Sequence, residues 1–148
     1  MINFAYAIAL VFGTTSIHAI ATLAIIQWFR SLHADHWIMG STARRVVSLA
    51  ALVFLMSLVA YLESTLWASF YVFVGALATF GDALYFSIVT FTTLGYGDIT
   101  LDEPWRVLGA FEAANGIILF GWTTAIIVAA VQRVFAVHAV PALVRDDP

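Results

Sequence analysis

The chain has 148 residues, with six Lys plus Arg (all Arg), nine acids, a formal net charge of -3, 63% hydrophobic and only 10% charged residues. Soluble domains carry about 25% charged residues, so an ordinary water-soluble fold is excluded, and so small a net charge offers nucleic acid no handle. The chain reads as an integral membrane protein. It has no Cys, which removes disulfides, thiolate chemistry and cysteine-ligated metals.

A membrane-crossing helix needs roughly 20 mainly apolar residues. The first candidate covers residues 4–29. No basic stretch precedes it and it exceeds a signal-peptide core, so it reads as a retained span. Gly13, Thr14, Thr15 and Ser16 interrupt it with small side chains, which suit close helix contact in lipid. Its one titratable group is His18. That histidine is either a buried proton sensor or, more ordinarily, a ring hydrogen-bonded to a neighbouring helix.

Residues 31–45 form the most polar connection, with His33, Asp35, His36, Arg44 and Arg45. Three loose ligands on a short loop read as a solvated turn, and no metal or cofactor is assigned there. The second span covers about 46–67, with Glu63 near its far end. An acid in a membrane helix points to function, but this position predicts that the carboxylate snorkels to the interface. Residues 68–79, apolar and aromatic, either prolong the helix or form an outer cap.

Asp82 reads as the N-cap of a short apolar helix over about 82–92. That run cannot cross a bilayer core of about 30 Å and predicts a re-entrant helix. Its C-terminal end, partially negative, would favour a cation. Directly after it stands Thr92-Thr93-Leu94-Gly95-Tyr96-Gly97-Asp98. Gly95 and Gly97 take positive φ without steric cost, so successive carbonyls can turn toward one side. Non-helical backbone at membrane depth is tolerated when buried in protein or lining a watery path. A row of inward carbonyls can replace the water shell of a cation. A plain glycine turn would explain Gly97-Asp98 but would leave 92–96 unaccounted for.

Asp102 and Glu103 mark a polar loop, Pro104 suits a first helical turn, and Trp105 is an interfacial anchor. The last span covers about 105–134, followed by a tail over 136–148 too short for a ligand-binding domain. With three spans, Arg30, Arg44, Arg45, Arg133 and Arg145 fall on one side, and Arg106 on the other with Asp82, Asp98, Asp102 and Glu103. The positive side is cytoplasmic by the usual rule, which puts the N-terminus outside and the C-terminus inside a plasma or bacterial inner membrane.

The stretch 92–98, with a short apolar helix before it and a span after it, resembles the selectivity filter of the potassium channel pore-loop family. Leu94 stands where that family more often has Val. The resemblance covers about 46–135: outer helix 46–67, pore helix 82–92, filter 93–97 and inner helix 105–134. Residues 1–30 form an additional helix without the spaced arginines of a voltage sensor. The expected fold is all-α, with three transmembrane helices, a re-entrant pore helix and a filter loop, assembled as a homotetramer because one pore loop cannot encircle an ion.

The resemblance implies K+ as the permeant ion, bound at Thr93, Leu94, Gly95 and Tyr96, with Gly97 completing the filter and no cofactor. It implies support from Thr92, from Asp98 behind the filter mouth, and from Tyr85 and Phe86 as an aromatic cuff. On the inner helix, Gly116 and Gly121 match small positions suited either to a gating hinge or to close packing. Asn115 is expected to face the cavity. Glu112 either sits behind the filter, senses cavity ions, or is a hydrogen-bonded carboxyl between subunits. Val89 leaves the pore helix without the carboxylate that some members carry.

Passive K+ conduction is therefore the expected function, with the lipid bilayer and three further copies as partners. The alternatives are a weakly selective cation channel and a non-conducting regulatory subunit. A membrane enzyme using His18, Glu63 and Glu112 lacks any recognisable catalytic spacing.

Overall fold

A computed structural model describes residues 2–34 and 41–136. They form four helices: α1 (Ile2–Ala34), α2 (Thr42–Phe73), α3 (Phe80–Phe91) and α4 (Arg106–Ala136). There is no strand among the described residues. Three helices contain apolar stretches long enough to cross a membrane: Phe4–Ser31, Thr42–Phe73 and Arg106–Val134. At 1.5 Å per residue, the 12-residue α3 is far too short. The protein is a multi-pass membrane protein.

The helix ends are written in local chemistry. Ser41 caps α2, its hydroxyl accepting from the Arg44 N–H. At the other end Gly75 takes φ 71°, and the Gly75 and Ala76 amides donate to Val72 O and Tyr71 O. That pair of bonds is a Schellman closure. It settles the open stretch 68–79: α2 runs on to Phe73 and then turns.

The expected N-cap at Asp82 is corrected. Thr79, extended at φ -122° and ψ 148°, is the cap. Its hydroxyl accepts from Asp82 N at 3.1 Å and donates to Asp82 Oδ2 at 2.8 Å. Asp82 thus occupies the third helical position, its amide and carboxylate both bonded to the cap hydroxyl, and its charge favours the helix N-terminus.

α1 packs against both α2 and α4. Phe4 meets Phe111 edge-on at 5.1 Å and Tyr6 meets Phe70 at 5.2 Å. One core cluster gathers Trp67, Tyr71, Ala83, Phe91, Leu108 and Leu119 around α3. A second joins Ile25 and Phe29 of α1 to Leu52 and Met56 of α2 and to Ala130 and Val134 of α4. It brings the C-terminal ends of α1 and α4 to the N-terminal end of α2, and with them Arg30, Arg44, Arg45 and Arg133. The acids Asp82, Asp98, Asp102 and Glu103 and the lone Arg106 flank the opposite helix ends.

Candidate functional site: the loop after α3

α3 ends in hydrogen bonds that hand the chain over to a different backbone geometry. Thr92 N donates to Ile88 O and Thr93 N to Thr90 O. The next two amides, Leu94 N and Gly95 N, both point back to Val89 O, at 2.9 and 3.2 Å. Beyond Thr92, φ is 59° at Thr93, 57° at Gly95 and 79° at Gly97, and negative at Leu94 and Tyr96 between them. Such alternation allows successive amides to turn to one edge of the loop and successive carbonyls to the other.

Thr93 is the only non-glycine residue at positive φ among those described. A non-glycine residue there costs on the order of 1–3 kcal/mol, and such strain persists where the surroundings over-determine it. A Cβ at Gly95 or Gly97 would meet nothing within 4 Å, so the backbone angle, not space, asks for glycine there.

The return limb is tied to α3. Tyr85 OH donates to Asp98 Oδ2 at 2.7 Å, and Ile99 N donates to Asp98 Oδ1. The hydroxyl bond holds the Asp98 carboxyl below the usual aspartate range and pushes the Tyr85 phenol up. Phe86, expected beside Tyr85 as an aromatic cuff, lies inside the chain with Leu101 of the return limb in the same cluster. It is buried and meets Tyr71 edge-on at 5.4 Å, because consecutive helical residues point about 100° apart. It braces α3 against α2 and, beside Gly109, against α4.

Behind α3 lies a polar cluster that residue patterns did not assemble. Glu112, 0% exposed, accepts from Tyr71 OH at 2.7 Å and from Ser87 Oγ. Ser87 Oγ also faces Ser64 O at 2.7 Å. Two hydroxyl protons serve three contacts, and a proton on the Glu112 carboxyl would complete the set. The carboxyl group behind α3 therefore comes from α4, while Val89 lends α3 only its carbonyl. Glu112 is fully buried within the chain, where α2 and α3 supply its hydroxyl partners.

Two further expectations change, and the close-packing alternative for Gly116 is met. Asn115 is 3% exposed and donates to Thr14 Oγ1 at 2.6 Å. It faces α1, not a cavity, because an amide in an apolar setting seeks a polar partner. Glu63 does not snorkel: it is 0% exposed, and its Oε1 lies 3.0 Å from His18 Nδ1. His18 Nε2 lies 3.3 Å from Thr123 Oγ1, so that ring spans three helices. The signal was present in the sequence as two ionisable groups on otherwise apolar spans. Gly116 is a close-packing site: an added Cβ would fall 2.8 Å from the Phe91 carbonyl carbon and nearer still to its oxygen. Gly121 would meet nothing within 4 Å.

No metal-binding group of three or more ligands occurs among the described residues. Asp35 and His36 lie outside them, as do His138 and Arg145.

Three apolar spans with a short capped helix and a φ-alternating loop between the last two define a membrane channel unit. A family model described as "Ion channel" matches residues 46–133, well over half of the chain. The chain belongs to this family of ion channels, of the potassium channel pore-loop type. α1 lies outside the matched residues. No curated protein and no solved structure gives a match.

Proposed function

We propose that the protein is a potassium-selective channel that conducts K+ passively as a homotetramer, with α3 as a re-entrant pore helix. One observation carries the reading: φ is positive at every second residue from Thr93 to Gly97. With the Leu94 and Gly95 amides spent on Val89 O, the carbonyls of Thr93, Leu94, Gly95 and Tyr96 are left to replace the ion's water shell. The substrate is the dehydrated cation, and the chemistry is coordination.

Oligomerisation follows from the same loop. Tyr96 is 68% and Leu94 54% exposed in the single chain, leaving large side chains with little to pack on. A single loop presents carbonyls from one side only, and a ring of four copies closes the cage. Fourfold repetition also multiplies Asp82, Asp98, Asp102 and Glu103 into a cation-attracting mouth. The arginine-rich end is cytoplasmic and the filter opens outward.

The reversal potential of purified protein in planar bilayers under a K+/Na+ gradient tests this. It should lie near the K+ equilibrium value, and Gly95→Ala or Gly97→Ala should abolish the current. A value near zero would leave a weakly selective cation channel. No current from folded tetramers across pH and tension would favour a regulatory subunit.

A further inference from the structure

Between α1, α2 and α4, at the end where the arginines gather, lies a cavity of about 590 Å³. Its walls are apolar, formed by Ile25 and Phe29 of α1, Leu52 of α2 and Trp122 of α4. Ala125 and Ala129, one turn apart on α4, also line it; their short side chains keep the slot open. The charged groups lining it are Arg30, near the end of α1, and Arg133, near the end of α4. Both are exposed, and no ion pair to either occurs among the described residues.

A slot of hydrocarbon character edged by two guanidinium groups, inside a membrane protein, selects its occupant by chemistry. An apolar molecule would have no use for the arginines. A free phosphate would have no use for the apolar slot. A phospholipid with net negative charge uses both: an acyl chain fills the slot, and the headgroup phosphate meets the guanidinium donors. Arginine suits phosphate by its fixed, multiply donating geometry, and basic pockets between transmembrane helices take anionic headgroups.

We propose that this groove is a binding site for an anionic phospholipid of the arginine-side leaflet, its phosphate held by Arg30 and Arg133. The α1 wall lies outside residues 46–133 matched to the family, so the groove exists through the additional helix. The C-terminal dipoles of α1 and α4 oppose an anion at this end, which leaves headgroup preference to the arginines. A bound lipid would bridge the end of α1 to the end of α4.

Trp122 supplies the readout. The full-length protein is reconstituted in phosphatidylcholine containing a small fraction of brominated lipid. Quenching assigned to Trp122 is the difference between the unmodified protein and Trp122→Phe. Brominated phosphatidylglycerol should quench it at a lower mole fraction than brominated phosphatidylcholine. Arg30→Gln and Arg133→Gln should each weaken that preference by roughly five-fold, while Arg106→Gln, at the opposite end, should leave it unchanged.

Equal quenching by the two headgroups in the unmodified protein would overturn the proposal and leave an unselective apolar groove. Absence of quenching by either lipid would also overturn it and point to a second copy of the chain covering the groove. Equal loss with Arg106→Gln would reduce the preference to diffuse surface charge, which is a third way for the proposal to fail. The measurement involves no current, so its outcome is separate from that of the conduction experiment.

Discussion

The backbone of Gly116 in α4 lies directly against the carbonyl of Phe91, the last residue of α3. α4 can approach the C-terminal end of α3 this closely only because position 116 has no Cβ. Gly116→Ala should push the two helices apart and destabilise the protein by about 1–3 kcal/mol, the usual range for overpacking. Gly121→Ala has open space within the chain and should be neutral or favourable, since Gly costs a helix interior roughly 1 kcal/mol relative to Ala. Thermal unfolding of both variants in detergent decides this. Equal melting temperatures would show that the close approach relaxes without cost.

His18 and Glu63 join α1 to α2 in a setting with almost no water. Removing one partner of a buried hydrogen-bonded pair leaves the other unsatisfied, at a cost of about 1–3 kcal/mol, whereas replacing both with apolar groups can be near neutral. His18→Leu and Glu63→Leu should therefore each be destabilising, and the double variant less so than either. A double-mutant cycle on chemical unfolding measures the coupling. Additive losses would mean that the two residues act independently.

Glu112 receives Tyr71 and Ser87 behind α3, and α3 leads at its C-terminal end into the loop proposed as the filter. Glu112→Leu leaves two buried hydroxyls with one acceptor fewer, at a cost of about 1–3 kcal/mol. The strain falls on α3, so we expect shortened single-channel open times with unchanged ion selectivity. Open times indistinguishable from those of the unmodified channel would confine Glu112 to global stability.

The Tyr85 hydroxyl bond lowers the folded-state value of Asp98 relative to an unfolded aspartate. A depressed carboxyl contributes stability above its unfolded value, and that contribution is lost as pH falls through the folded one. Current should therefore survive external acidification through the ordinary aspartate range and fail only below it. Tyr85→Phe removes the main cause of the depression, so failure should move upward in pH. Identical titrations of current for the two proteins would remove Asp98 protonation as the cause.

Much of the backbone geometry of the loop after α3 was legible along the chain because its information is local. Positive φ at 95 and 97 is a property of glycine, and the short run before them could not span a bilayer. The positive φ at Thr93 was not legible, because the backbone around it imposes that angle against threonine's own preference. The cap of α3 was misplaced by three residues. Thr79 and Asp82 are both good cap formers, and only the backbone shows which one is extended.

The residues behind α3 and along α1 were harder to read. Glu63, Glu112 and Asn115 were each visible as polar groups in apolar spans. Their partners lie 45, 41 and 101 positions away in the sequence, at His18, Tyr71 and Thr14. No periodicity encodes a partner on another helix. The sequence by itself determined that this protein is a membrane protein with three helices long enough to cross, and that glycines stand where the loop after α3 needs positive φ, because hydropathy, helix length and glycine's φ range act within one segment. The tertiary structure alone decided which buried polar groups meet and which glycine is packed against backbone. It also decided that α1 is bound into the channel unit. Those outcomes depend on the relative depth and rotation of separate helices, set by the need of every polar group in an apolar interior to find a partner.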